Sequence, residues 1–198
     1  GGYLPKHYSH TGEDYDFIPD GFLAEMKMSY ARRYKGKSEK HYLQEAIKKY
    51  IVKNTIKAIL ANYGSSAIEF IEICEETGAA LITHFHGYTI YRHDSLKWNK
   101  PRYEVLFKKS DAFIGVSQHM MQTFRDFNLP EEKLHYCCCG ANEELFHYAD
   151  VSKNPPVFLS VGRFAETKSP HLTILAFEKI LKKIPEATLV MVGDGNLK

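Results

Sequence analysis

Cysteine is scarce, and the few present are badly spaced for a structural role: the 198 residues hold 4, Cys74 alone and Cys137, Cys138 and Cys139 in a row. Three adjacent thiols do not match zinc-ligand spacing, and strand alternation would turn the middle one away from its neighbours. A disulfide framework does not fit either, because such frameworks belong to small loop-rich secreted domains. The expectation is apolar strand residues in a reducing cytoplasm, where free Cys behaves as a small buried hydrophobe. No apolar run approaches the length that crosses a bilayer. The formal net charge of +2 is too small to imply nucleic acid. No initiator Met precedes Gly1-Gly2-Tyr3 and no basic-then-apolar signal segment follows, so a truncated start is expected. What is abundant is Tyr and Phe, 13 and 12 residues, which suits packed aromatic surface. The length allows one domain with a proper core, or parts of two.

Residues up to about Gly36 mix Tyr, Asp, Gly and Pro, and carry a basic patch at Arg32, Arg33, Lys35 and Lys37 that reads as a solvated face. From Glu39 a helical period sets in, with Tyr42, Leu43, Ala46, Ile47, Tyr50 and Ile51 on one side. Tyr63-Gly64-Ser65-Ser66 breaks it and offers a cap to a second helix that buries Ile68, Ile71 and Cys74 and stops before Gly78. The apolar run Ala79-Ala80-Leu81-Ile82-Thr83 then predicts a strand covered on both faces, ending at His84-Phe85-His86-Gly87. A helix over 102–108 and a strand over 112–116 follow. Ser117 then caps a helix running through Met120, Met121, Phe124 and Phe127, and a strand over 134–139 ends at Gly140.

The polar stretch from Asp150, with Pro155-Pro156, reads as a hinge between a first domain, 1–152, and a second, 153–198. Beyond it Val157–Val161 reads as a buried strand, and Ser169 as the cap of a helix with Pro170 in its first turn. Leu172, Leu175, Ala176, Ile180 and Ile184 form its inner face, and 187–192 the next strand, before Gly193-Asp194-Gly195. Such a strand–helix–strand unit crosses over right-handedly between parallel strands. Alternation on both sides of the hinge makes the fold class α/β, with doubly wound sheets.

In open sheets of this kind ligands collect outside the carboxyl ends of the strands. Arg163 leaves one such end after Gly162, and Lys168 stands just before a helix whose positive dipole end faces the same loop. Arg supplies a planar fork for two phosphate oxygens and Lys a mobile point charge, so the pair is a candidate diphosphate site. Spacing alone leaves open the alternative of a solvated basic loop with Glu166 as its internal partner. His84 and His86 share one face in extended geometry, but no third ligand stands at metal spacing, and no metal is expected. A loop histidine that binds a substrate hydroxyl competes with one that anchors its own loop. Gly193-Asp194-Gly195 lacks the third glycine of a dinucleotide fingerprint and reads as a turn that lets backbone approach a ligand. Ser117 has no strained nucleophile turn around it and reads as a cap.

The run from Val161-Gly162-Arg163-Phe164 through Lys168-Ser169-Pro170-His171-Leu172 to Ala176-Phe177 resembles the donor-domain signature of family 4 (group 1) glycosyltransferases. Leu189-Val190-Met191-Val192-Gly193-Asp194-Gly195 is similar to that family's next strand and turn, and His84-Phe85-His86-Gly87-Tyr88 to its acceptor-domain histidine loop. Phe113-Ile114-Gly115-Val116-Ser117 and Gly140-Ala141-Asn142-Glu143-Glu144-Leu145-Phe146 match the segments leading to the hinge. Ala61-Asn62-Tyr63-Gly64 fits the exopolysaccharide-building branch. The resemblance runs in order from about Ile59 to the carboxyl end.

The resemblance implies GT-B architecture, two Rossmann-like domains, both incomplete in this chain, with the active site in the cleft between them. It implies a cytoplasmic enzyme that transfers a hexose, with retention, from a nucleotide-sugar to a glycan or lipid-linked acceptor in polysaccharide biosynthesis. It also implies no cofactor or required metal, no nucleic acid, and room for peripheral contact with the inner membrane face. Arg163 and Lys168 would stabilise the departing nucleoside diphosphate, and His86 would contact the transferred sugar. Gly162, Gly193 and Gly140 would let backbone approach the donor. Two positions depart from the family pattern: Thr89 where an acid is common, and Asn142 where Asp is usual. The family's pair of donor-binding glutamates would lie beyond Lys198, so the fragment alone is expected to be inactive. An idle sugar-nucleotide or glycan-binding module and a GT-B nucleotide-sugar epimerase are the alternatives.

Overall fold

The computed structural model describes residues 4–10, 13–18, 26, 29, 38–87, 93–146 and 148–198. The basic patch at 32–37 and Thr89 lie outside the described residues. The chain divides into two compact units, Gly1–Gly140 and Ala141–Lys198.

The first unit begins with an antiparallel hairpin, β1 (His7–His10) and β2 (Glu13–Asp16), in a stretch whose composition hides any strand period. Helix α1 (Glu39–Lys53) follows as its apolar period predicts. Ser38 Oγ accepts the His41 N–H, and Leu43, Ile47 and Ile51 form the buried stripe. β3 (Ala58–Asn62) has no counterpart in the sequence reading, because so short a run shows too little alternation to declare itself. Helix α2 (Gly64–Thr77) ends on Gly78, whose φ of 72° is the left-handed conformation that glycine adopts without strain.

β4 (Ala80–Phe85), α3 (His93–Lys109), β5 (Ala112–Gly115), α4 (Gln118–Asp126) and β6 (Leu134–Tyr136) complete the unit. The sheet runs β3-β4-β5-β6, all parallel. In β4 the alternate residues Leu81, Thr83 and Phe85 are buried, while Ile82 and His84 are half-buried on the other face. Phe85, Phe113, Phe124, Tyr103 and Leu106 form the centre of the main core. Ser117 caps α4, its Oγ accepting the Met120 N–H at 3.2 Å.

Glu69 is 8% exposed and ties three helices together: it pairs with Lys40 of α1 and with Arg102 of α3, the latter at 2.7 Å. The expected strand over 134–139 is shorter than read. Its neighbour β5 stops at Gly115, whose carbonyl takes a last N–H from Cys137. Beyond that point there is no ladder to join, and Cys137, Cys138 and Cys139 are exposed, contrary to their reading as buried strand residues. Cys74 is buried in α2, its thiol pushed up to about 11 by burial, with Asp111 adding to the effect.

The second unit contains β7 (Val157–Val161), helix α5 (Pro170–Leu181) and β8 (Thr188–Val192), with β7 and β8 parallel. Strand–helix–strand order was expected, but burial of β7 was not found. Val157, Leu159 and Val161 are exposed, as are Leu172 and Leu175 of the helix face read as inner. Two strands and one helix leave too little protein to cover them. Among the described residues, only Pro170 and Ala187 are buried in this unit.

Candidate functional site

Candidate residues in the first unit cluster at the carboxyl ends of β3 and β4, where Asn62 and His84 are register partners. Their side chains meet: His84 Nδ1 lies 3.0 Å from Asn62 Oδ1, the ring N–H donating to the amide oxygen. The ladder continues one step further, the Tyr63 N–H donating to the His84 carbonyl at 2.8 Å. Tyr63 has a φ of 69°, unusual for a residue with a Cβ. A Cβ at the next residue, Gly64, would come within 2.6 Å of the rings of Phe85 and Tyr103, so α2 starts in contact with the core directly after this turn. Ser65 and Ser66 do not cap α2; the N-cap position is Tyr63, which has no side-chain cap bond.

This turn places the Tyr63 ring 4.8 Å from that of His86, which is in turn 4.3 Å from the ring of His84. The structure therefore brings His84 and His86 together, as their shared face predicts. Burial, and next the neighbouring His86, lower the pKa of His84. His84 Nε2 is buried and has no hydrogen-bond partner among the described residues. Asn62 and Tyr63 carried only a family likeness in the sequence, because the missed β3 is what sets Asn62 beside His84. Among the described residues no three His, Cys, Asp or Glu side chains gather as a metal-binding group.

At the junction segment Gly140 has open space where a Cβ would stand. Asn142 Oδ1 accepts the Glu144 N–H at 2.9 Å, an acceptor role that the family's Asp would fill equally.

In the second unit, the loop after β7 and the loop after β8 are bound to each other. Phe164 N–H donates to Asp194 O and Leu197 N–H to Phe164 O, both at 2.9 Å. A Cβ at Gly193 would lie 1.8 Å from the Gly162 carbonyl oxygen, so here the missing side chain admits the chain's own backbone. Gly162 itself has open space at the Cβ position. Arg163 and Lys168 are both exposed on this loop, Arg163 ahead of a 3-10 turn, Glu166–Lys168, and Lys168 as its last residue. Among the described residues neither takes part in an ion pair or side-chain hydrogen bond, and Glu166 does not engage them.

Ser169 stands at the N-cap position of α5, but not as the expected cap. It is left-handed at φ 46°, and its hydroxyl donates to the Glu166 carbonyl at 2.9 Å. The first turn of α5 therefore has no side chain covering it, and Pro170 opens it.

Residues 11–145 match the family described as Glycosyltransferase Family 4, and 142–198 match Glycosyl transferases group 1. The chain belongs to Glycosyltransferase Family 4. It is 37% identical over 51 residues to a glycosyltransferase of Methanocaldococcus jannaschii, covering 26% of this chain and 13% of that protein. It is 25% identical over 126 residues to the colanic acid biosynthesis glycosyltransferase WcaL of Salmonella typhimurium, covering 61% of this chain and 31% of that one. The chain thus spans a third or less of the length of these curated relatives. In fold it is similar to Anabaena HepE, solved in complex with UDP, with a TM-score of 0.62 at 18% identity over 77% of this chain and 43% of that one. The family 4 chain is thus α/β with the parallel Rossmann-like sheets of GT-B proteins. Among the described residues no helix is long and apolar enough to cross a membrane.

Proposed function

We propose that the protein transfers a hexose, with retention, from a nucleotide-sugar to a glycan or lipid-linked acceptor in polysaccharide biosynthesis. The observation that carries this reading is the loop after β7, where two exposed cations, free of carboxylate partners among the described residues, precede an uncapped helix amino end. Negative charge grows on the leaving diphosphate as the sugar's bond to it breaks. Fixed cations there stabilise the transition state more than the ground state, which is what accelerates a reaction. In this reading Arg163 and Lys168 receive the diphosphate, the open faces of Gly162 and Gly140 admit the donor, and His86 contacts the transferred sugar. Gly193 supports the site by letting the two loops close on each other.

The relatives' names support the class of product, one being named for colanic acid biosynthesis. HepE, whose fold is similar, was solved with UDP and with UDP-glucose, which favours a uridine diphosphate sugar as the first donor to try. In this reading Arg163 and Lys168 supply the charge stabilisation that a metal ion would otherwise give the diphosphate. The proposed setting is the cytoplasm, with peripheral contact at the membrane where a lipid-linked acceptor is presented.

The test uses the full-length natural protein with UDP-glucose. Nucleoside diphosphate should appear only once acceptor is added, and the new linkage should keep the donor's anomeric configuration by NMR. Arg163→Ala should lower kcat/KM by about 100-fold, the scale of losing one preorganised charge contact. An unchanged rate in that variant overturns the assignment, binding without turnover points to an idle module, and product from donor alone points to an epimerase.

A further inference from the structure

The pairing at the end of β4 holds more than the transfer reading uses. We propose that His84 is a positioning residue: pinned by Asn62, its uncharged ring braces His86 against Tyr63. This rests on the reading of His86 as the residue that meets the transferred sugar.

Four observations support it. Asn62 and His84 are register partners on adjacent parallel strands, so the sheet itself fixes their separation. The Asn62 amide oxygen takes the Nδ1 proton, which sets the ring plane and the tautomer. His86 has two rings against it, His84 at 4.3 Å and Tyr63 at 4.8 Å, and Tyr63 stands at a sharp turn, φ 69°, directly before Gly64, where α2 packs on the core. Finally, His84 Nε2 is buried with no partner among the described residues. Protonating it would create a buried N–H without an acceptor, beside another imidazole, and both effects disfavour the charged ring.

The described groups around His84 agree. β3 presents Asn62, the turn into α2 presents Tyr63, β5 presents the apolar Ile114 in register, and its own strand presents His86. None is a carboxylate that would favour a cation. Neutral His84 is therefore the form that braces, and protonation would set a charge against His86 and loosen it.

The test perturbs Asn62 in opposite senses in the full-length natural protein. Asn62→Asp places a carboxylate on the Nδ1–H and raises the pKa of His84, so the acid limb of the kcat–pH profile should move up by about one unit. Asn62→Ala removes the acceptor from the protonated form, so the limb should move down. Donor KM should stay within about two-fold in both, because a positioning residue acts on turnover. In the Asn62→Asp/His84→Gln double variant the displaced limb should vanish. A limb that stays in place in both single variants, or moves the same way in both, overturns the proposal, and a folding defect cannot produce opposite shifts.

If the unmodified protein releases no nucleoside diphosphate at all, the transfer reading fails separately. The brace is then decided by imidazole Cε1 NMR. In Asn62→Asp the midpoint of His84 should rise and the His86 resonance should follow it, whereas a His86 signal indifferent to the substitution overturns the brace.

Discussion

In Gly1–Gly140 four parallel strands are flanked by helices and an aromatic core lies fully buried, whereas in Ala141–Lys198 two parallel strands have one helix and almost nothing is buried. Both units obey the same local grammar of strand, glycine-rich turn, helix and strand. Local pattern decides that β7 is a strand; how many neighbours the sheet has decides whether its valines meet protein or water. The two candidate sites differ in the same way. Asn62, His84, His86 and Tyr63 are locked to one another, while Arg163 and Lys168 project from the loop without partners among the described residues.

The largest effect that would sharpen this contrast is Phe113→Ala, which removes a fully buried ring from the first unit. It should cost about 3–5 kcal/mol, read from denaturant unfolding. Leu159→Ala in the second unit, at a side chain 66% exposed, should change stability by less than about 0.5 kcal/mol. Equal losses would mean that the second unit has a core of its own.

Next comes Glu69→Gln, which leaves Lys40 and Arg102 without their shared carboxylate and should cost about 1–3 kcal/mol at neutral pH. Burial alone would raise the pKa of Glu69, but the two cations outweigh it and hold it below the ordinary value of 4.5. A depressed carboxyl stabilises the fold fully above its unfolded pKa and loses that contribution as pH falls through the folded one. The gap between wild type and variant should therefore be flat above about pH 5 and close below it. Lys182→Ala, which breaks the exposed Lys182–Glu178 pair of the second unit, should change nothing measurable at any pH.

The smallest effects are at the caps. Ser117→Ala loses the bond to Met120 N–H and should cost about 1 kcal/mol. Ser169→Gly relieves a left-handed residue at the loss of one exposed hydroxyl bond, to the Glu166 carbonyl, and should stabilise the second unit by a few tenths of a kcal/mol, read as slower amide exchange in α5. If Ser169→Gly proved as damaging as Ser117→Ala, the two turns would be equivalent after all.

Much of the helical frame was legible along the chain. The period over 39–51, the Ser117 cap and the Pro170 start each appear where the residues indicate. So do β7 and β8, both within one residue of their expected bounds. The hairpin β1–β2 and strand β3 were not legible, since short segments rich in Tyr or Ala carry little periodic signal. Cys137–Cys139 look like strand, and their residue types are strand-like; what ends β6 is the end of β5 at Gly115. The same limit applies to the sites. The Arg163-to-Lys168 spacing and the shared face of His84 and His86 are visible in one dimension, but the Asn62 bond to His84 is not.

Residue order alone settled the family likeness, the alternation of strands and helices, and which cations follow a strand end, because these depend on neighbours a few positions apart. The assembled chain decided three things that no local window contains. They are the exposure of β7, the partner of His84, and the use of Gly193 as a point of contact between two loops. Each depends on which segments, distant in sequence, lie within a few ångströms, and hydrogen bonding and burial are properties of that proximity.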